Sequence, residues 1–254
     1  MSISIKNEKE IELMRTAGQL LAKVHYELGR EIKEGMTTKD IDRLGEEIIR
    51  SFGCVPNFLN YNGYPASICV SVNDEVVHGI PTDKRYLQNG DIVSLDAGLI
   101  YKGYHSDAAR THGVGEISAK AQRLIDVTKQ SFFEGIKFAK PGNHLVDIAR
   151  GIQTYAEKAG FSVVRDLVGH GIGTSLHEDP EIPNFVRRRR GAKLQKGMTL
   201  AIEPMINEGT YDVWWLEDDW TVVTRDGKLA AHYENTIAIT EDGCEILTML
   251  PEEK

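Results

Sequence analysis

Two stretches of this chain read alike at a constant separation of 107 residues, and no other feature constrains its fold as strongly. Lys33-Glu34-Gly35-Met36-Thr37-Thr38-Lys39-Asp40-Ile41 answers to Lys140-Pro141-Gly142-Asn143-His144-Leu145-Val146-Asp147-Ile148, with the glycine, the aspartate and the isoleucine in register. Gly53 pairs with Gly160, and Leu87-Gln88-Asn89-Gly90 pairs with Leu194-Gln195-Lys196-Gly197, at the same offset. Before each copy, apolar residues recur at helical spacing: Ile11, Met14, Leu20, Leu21, Val24 and Leu28 between Lys6 and about Arg30, and a similar pattern from Ser118 to Phe138. Six residues past Gly90 and Gly197, at the end of an apolar strand, stands an acid: Asp96 in one copy, Glu203 in the other. A duplicated helix-helix-strand unit that packs about a pseudo-twofold axis brings equivalent strand ends together, so Asp96 is expected to face Glu203 across the join. A repeat alone says only that one folding unit is used twice. The paired acids make it a candidate site. The whole of residues 1–254 is read as a single catalytic domain, with its repeat spanning about 6–115 and about 118–250.

Downstream of Asp96, two β-rich runs flank Lys102-Gly103, a two-residue turn signal. A hairpin closed there sets Gly98 opposite Asp107, making Asp96 and Asp107 diagonal neighbours on one face, roughly 7–8 Å apart at the backbone. The second half is expected to carry a longer hairpin, with Trp220–Thr224 and Leu229–Glu234 flanking Arg225-Asp226-Gly227-Lys228, and with Glu234 in the part of Asp107. Four acids on one buried face repel unless protons or cations neutralise them. Gly169-His170-Gly171-Ile172-Gly173 adds an imidazole in a glycine-rich segment that lets backbone approach a ligand closely. The expected ligand set is therefore Asp96, Asp107, His170, Glu203 and Glu234, suited to a pair of divalent ions such as manganese, iron, cobalt or zinc.

Taken singly, a strand-end aspartate is most often a turn or cap residue, and a lone Gly-His-Gly most often a tight loop; their combination carries the argument. His105 shares parity with Asp107 but is read as a packed residue. His25, His112, His144 and His232 have no spacing that suggests chemistry and are read as surface or interface residues. His78 and His177 each precede a turn beside a site segment and can point into the cleft. Lys plus Arg total 30 against 38 Asp plus Glu, and the net charge of -8 argues against a phosphate backbone as main partner. Neither a leader peptide nor a run of about 20 apolar residues is recognisable. Cys54, Cys69 and Cys244 suggest neither a disulfide framework nor a zinc knot, so a cytoplasmic protein is expected.

Asn62-Gly63-Tyr64-Pro65, Val72-Asn73-Asp74-Glu75-Val76-Val77-His78-Gly79-Ile80-Pro81, Gly169-His170-Gly171-Ile172-Gly173, Ile202-Glu203-Pro204 and Glu234-Asn235-Thr236 together resemble the type I methionine aminopeptidases over nearly the whole chain. The resemblance implies the α+β pita-bread fold: two pseudo-twofold-related α/β halves with a central antiparallel sheet covered by helices. It implies a dinuclear centre on Asp96, Asp107, His170, Glu203 and Glu234, the set reached above from the residues. It further implies that His78 and His177 hold the scissile amide and the developing oxyanion, and that Glu203 transfers protons. The substrate pocket would map to Tyr61, Tyr64, Cys69 and Trp220, with Phe58 and Leu176 at its edge. Many relatives carry an aromatic residue where Leu176 stands, although a thioether needs only apolar, polarizable walls. Without the resemblance, Tyr61, Tyr64 and Trp220 would be read as core aromatics.

The expected activity is removal of the N-terminal methionine from nascent proteins and peptides, preferring a small second residue, with two ions activating a bridging water. The nearest enzyme rival is a prolidase or proline-specific aminopeptidase, which carries an additional N-terminal domain. The length of 254 residues argues against both that rival and the type II methionine aminopeptidases, which the resemblance would require to carry a helical insertion in the second half. A second class is a non-catalytic binding module of this fold, which typically lacks the ligands. Arg187-Arg188-Arg189-Arg190 favours that class by offering contact to ribosomal RNA, but is read as a solvated loop. Expected partners are nascent polypeptide N-termini and, transiently, the ribosome, with no membrane, no specific nucleic acid and a monomeric state.

Overall fold

The computed structural model describes residues 3–250; Met1, Ser2 and residues 251–254, which the expected domain includes, lie outside the described residues. The first half runs α1 (Glu8–Glu31), α2 (Thr38–Ser51), β1 (Val55–Pro56), β2 (Ile68–Val72), β3 (Glu75–Val77), β4 (Ile92–Tyr101) and β5 (Tyr104–Gly113). The second runs α3 (Ala119–Ile136), α4 (Leu145–Lys158), β6 (Ser162–Val163), β7 (Gly169–Gly171), β8 (Glu178–Ile182), β9 (Thr199–Ile202) and β10 (Met205–Asn207). It continues through β11 (Val213–Trp215), β12 (Val222–Thr224), β13 (Ala230–His232), β14 (Glu234–Ile239) and β15 (Cys244–Ile246).

The sequence repeat reappears as repeated structure. Shifting α2 by 107 residues gives α4, end for end, and shifting β1 gives β6. Thr37 pairs with Tyr86 in an isolated bridge, and His144 with Lys193 in its counterpart. Both helices open on a capping box, Thr37 with Asp40 and His144 with Asp147, in which the acid at the third helical position accepts from the cap backbone. Gly35 and Gly142 have φ of 85° and 93°, and Gly90 and Gly197 have 97° and 86°, a left-handed conformation that side chains with a Cβ rarely adopt. The matched glycines therefore mark matched turns.

A nine-stranded antiparallel sheet runs in the order β1-β4-β5-β14-β9-β7-β8, with β2 also on β4 and β15 also on β14. Its two faces differ sharply. Val93, Leu95, Ala97 and Leu99 of β4 pack with Leu21, Val24 and Leu28 of α1 and Ile41 and Ile49 of α2. In the second half, Leu200 and Ile202 of β9 and Ile237 and Ile239 of β14 pack with Phe132 of α3 and Ile148 and Ile152 of α4. Each such buried Val, Leu, Ile or Phe side chain contributes about 1.5–3 kcal/mol. Because side chains alternate along a strand, the residues between these, Asp96, Ala201, Glu234 and Thr236 among them, face away from the helices. The expected α+β arrangement of an antiparallel sheet covered by helices is present.

The first hairpin forms with the expected register: Gly98 lies opposite Asp107, and the turn residues Lys102 and Gly103 have φ of 48° and 84°. Both positive values fit the primed turn that matches strand twist. The second expected hairpin does not form. Thr224 Oγ1 donates to Lys228 O at 2.7 Å, so the turn exists. The strands it joins diverge, however: β12 pairs with β11 and β3, whereas β13 pairs with β10. The physical reason is that β13 is taken by β10, the strand just past Pro204. Where β4 continues past Asp96 through Ala97, the equivalent strand stops at Ile202 and resumes at Met205, across Pro204, which has no N–H for the ladder. β10 pairs with β6 in the register that β4 keeps with β1, shifted by 107 residues, and with β13 on its other side, in a separate small sheet.

Candidate active site

All five proposed ligands come to one face of the nine-stranded sheet, in two adjacent rows. Asp96 pairs with Ala109, which pairs on its other side with Glu234. Gly98 pairs with Asp107 in the next row; there Thr236 of β14 pairs with Ala201, which pairs with His170. Glu203 stands directly past the end of β9, two residues after Ala201 and on the same side. The intervening positions, Gly98, Ala109 and Ala201, are small and leave the face open for the acids.

Asp96, Asp107, His170 and Glu234 are all buried, with exposures of 9, 4, 8 and 2%. Ligating atoms of Asp107, His170 and Glu234 all lie within 4.8 Å of one another. His170 Nε2 is 3.8 Å from Asp107 Oδ2 and 3.7 Å from Glu203 Oε1. These gaps are too long for hydrogen bonds. They match the separation of ligands that each sit about 2 Å from a shared ion. His170 Nδ1 donates to Gly171 O at 2.9 Å, which leaves the Nε2 lone pair turned toward the acids.

Among the described residues, Asp96 Oδ1, Asp107 Oδ1 and Glu234 Oε1 are buried without a hydrogen-bond partner. Burial pushes the Asp96 carboxyl up to about 7. Burial, then the charges of Glu234 and Asp96, hold Asp107 well above the usual carboxylate range. Burial followed by the neighbouring acids does the same to Glu203 and Glu234. A buried acid cluster with orphaned oxygens and one neutral imidazole fits divalent cations, which neutralise the charge and occupy the oxygens together.

The support around these groups is specific. Thr236 Oγ1 accepts from Asp107 N at 3.0 Å and donates to Asp107 O at 2.9 Å. Asn184 Nδ2 donates to Glu203 O at 2.9 Å, and Arg110 Nη1 donates to the Glu234 carbonyl. Gly169 and Gly171 let β7 approach closely: a Cβ on either would come within 2.3 Å of a backbone oxygen, that of Ala201 or Asp179.

The acids open onto a cavity of about 240 Å³ whose lining includes every site residue expected from the sequence. Phe58, Tyr64, Cys69 and Leu176 form its buried apolar wall. Trp220 meets Tyr64 edge-on at 5.1 Å and His78 at 6.2 Å between ring centroids. Tyr61 Oη and His177 Nδ1 are hydrogen-bonded at 2.7 Å, and the His177 ring lies 4.1 Å from that of His170. His78 takes a φ of 59°, a strained conformation for a residue with a Cβ, and burial, then the His177 charge, pushes its imidazole down to about 4. Asn62, Val77, Leu167, Val168 and Met205 also line the cavity, although nothing in their spacing singled them out. His105 is not among the lining residues; its Nδ1 lies 3.4 Å from Asn57 Nδ2.

Two histidines depart from the surface reading. His25 is 4% exposed, with Nε2 donating to Ala108 O at 2.8 Å. His232 is 1% exposed, has no hydrogen-bond partner on either ring nitrogen among the described residues, and puts Nε2 3.8 Å from Glu203 Oε2. Its position two residues before Glu234 was the available signal. Arg187 to Arg190 are exposed, as expected of a surface loop. The three cysteines are free, and no helix among the described residues is long and apolar enough to cross a membrane.

Residues 12–241 match the model of metallopeptidase family M24. The chain is 56% identical to a methionine aminopeptidase of Clostridium acetobutylicum over 97% of its own length and 99% of that protein. It is 51% identical to methionine aminopeptidase 1 of Bacillus subtilis, over 97% and 99% of the two chains. Its structure is similar to the crystal structure of methionine aminopeptidase from Thermotoga maritima, with a TM-score of 0.95 and 47% identity, covering 98% of this chain and all of that one. A buried carboxylate-imidazole cluster in this fold, with likeness along almost the whole length, establishes that the chain belongs to metallopeptidase family M24, on its methionine aminopeptidase branch.

Proposed function

We propose that this chain hydrolyses the N-terminal methionine from nascent proteins and peptides in the cytoplasm, preferring a small second residue, and that residues 1–254 act as one catalytic domain. The observation that carries the reading is the convergence of four acids and His170 in the lining of a cavity that also has an apolar wall. Phe58, Tyr64, Cys69, Leu176 and Trp220 offer polarizable walls suited to a thioether side chain. Acids in the cavity lining suit a chain end with its free amine.

Asp96, Asp107, His170, Glu203 and Glu234 would hold two divalent ions, of manganese, iron, cobalt or zinc. Such ions, when bound, lower the pKa of a shared water and polarise the carbonyl to be attacked. Glu203 takes the water's proton and passes it to the leaving amine. His78 and His177 hydrogen-bond the amide and the developing oxyanion, and the neutral His78 does so as a donor without needing a charge. Tyr61 orients His177 through its Nδ1 contact.

The test is release of free methionine from peptides beginning Met-Ala and Met-Lys, with manganese or cobalt and then with a chelator. Release from Met-Ala, weaker release from Met-Lys, and loss on chelation are expected. Release that survives chelation contradicts the reading. The chain is proposed to work as a monomer, without membrane or specific nucleic-acid partners, and to touch the ribosome transiently through Arg187 to Arg190. Neutralising those arginines should weaken co-sedimentation with ribosomes, and unchanged co-sedimentation removes that role.

A further inference from the structure

His232 is a buried polar side chain that the proposed chemistry does not use. It is 1% exposed, and among the described residues neither ring nitrogen has a hydrogen-bond partner. Buried polar atoms are nearly always paired, and an orphaned imidazole stands out among them. Its backbone is firmly fixed. On β13 it pairs with Met205 of β10, its N–H donates to Thr111 Oγ1 at 3.0 Å, and its carbonyl accepts from the same hydroxyl at 2.8 Å. Thr111 Oγ1 also lies 2.8 Å from Ser94 Oγ, which ties the histidine through β5 to β4.

The ring faces Glu203. His232 Nε2 is 3.8 Å from Glu203 Oε2, while His170 Nε2 is 3.7 Å from the other oxygen, Oε1. Each oxygen of this carboxyl therefore has an imidazole nitrogen beside it. The two imidazoles are not equivalent. All five proposed metal ligands, His170 among them, line the cavity, and so does Met205, the strand partner of His232. His232 itself is not in the lining, so it stands behind Glu203, off the surface that substrate meets.

Glu203 needs such a support more than Asp96 does. It follows the last residue of β9 and precedes Pro204, outside the ladder that holds Asp96 on both sides. Asn184 holds its carbonyl, which leaves the side-chain torsions to be fixed by other contacts. The last torsion of a glutamate turns easily. Roughly 0.8 Å separates the His232 gap from a hydrogen bond of ordinary length.

Building on the proposed activity, in which Glu203 carries the proton, we infer that His232 is the positioning residue for Glu203: its Nε2–H donates to Oε2 and holds the carboxyl in one orientation. A neutral imidazole has one donor, and a carboxylate at Nε2 selects the tautomer that carries the proton there. Because His232 stands off the cavity surface, it acts on turnover and not on peptide binding.

The experiment measures kcat and KM for a Met-Ala peptide, bound manganese and melting temperature in His232 variants. His232→Leu fills the space without a donor and should lower kcat about tenfold or more, with KM and bound manganese unchanged and no fall in melting temperature. His232→Gln, whose amide reaches about as far as Nε2, should recover most of the rate, whereas His232→Asn, whose amide stands near the place of Nδ1, should not. In a Glu203→Gln protein the further change His232→Leu should cost nothing more. A crystal structure of metal-free His232→Leu should show the Glu203 carboxyl in more than one orientation, against one in the unaltered protein. An unchanged kcat in His232→Leu, a loss of manganese that matches the loss of rate, or the same loss of rate in the Glu203→Gln background overturns the assignment. If the unaltered protein releases no methionine with manganese, the reading of the activity fails, and the Glu203 orientations in the metal-free crystals still decide whether His232 holds that carboxyl.

Discussion

The strand that carries Asp96 and the strand that carries Glu203 begin from the same repeat and end differently. In the first half, β4 runs unbroken from Ile92 to Tyr101 between β2 and β5, so Asp96 is clamped in a ladder on both sides. In the second half the strand stops at Ile202, and Glu203 stands at the break with Pro204 behind it, its carbonyl held by Asn184. A short side chain in a rigid ladder suits a group that only holds a ligand. A longer one at a break suits a group that must also move a proton. Duplication thus supplied two acids, and a single proline made them unequal.

The comparison makes its largest prediction about activity. Asp107→Asn, in the ladder opposite Gly98, should remove metal and activity together, lowering kcat/KM at least about a hundredfold. Glu203→Gln should lower kcat by about 10²–10⁴ while keeping more of its metal. Metal analysis of both proteins beside their rates decides the matter, and a Glu203→Gln protein emptier than Asp107→Asn would reverse the assignment. The next prediction exchanges the break itself. Ala97→Pro would remove a donor from the middle of β4, between Ile68 and Ala108, and should cost about 3 kcal/mol or more in thermal unfolding. Pro204→Ala, at the same place in the other half, should cost less than about 1 kcal/mol and should act on kcat rather than on folding.

The smallest effect is on stability, in metal-free protein. The carboxyls of Asp96, Asp107, Glu203 and Glu234 sit above their unfolded values, chiefly through burial. Groups shifted upward bind more protons when folded, so their contribution is full below about pH 4 and is lost as pH rises through their raised values, about 7 for Asp96. His78, His170 and His232, pushed down by burial to about 4, 3 and 3, act oppositely and weaken the fold as pH falls below about 6.5. Asp107→Asn removes one group from the first set and none from the second. Metal-free Asp107→Asn should therefore melt a few degrees above the unaltered protein at pH 8 and level with it at about pH 4. A variant that melts lower at pH 8 would mean that Asp107 is not strained by its neighbours.

How far the sequence could be read followed the same division. The glycines of the repeat, the helices and the Lys102-Gly103 hairpin were legible because each depends on chemistry within a few residues. Asp96, Asp107 and their diagonal relation came with that hairpin. In the second half the turn at residues 225–228 was legible, but its flanking strands were not: β13 pairs with β10, a partner distant in the chain that no local pattern announces. His232 was missed for this reason. Its burial beside Glu203 comes with β13 pairing on β10, and its place two residues before Glu234 was the one local sign of it. The cavity wall was legible only through family resemblance, because Tyr61, Tyr64 and Trp220 have no periodicity to separate them from core aromatics.

The most direct test is calorimetric titration of the metal-free protein with manganese, with methionine release measured on the same samples. Release should rise with bound metal and level off at two equivalents, with neither binding nor release in Asp107→Asn. Full release without metal, or Asp107→Asn binding as tightly as the unaltered protein, would contradict the two-ion site.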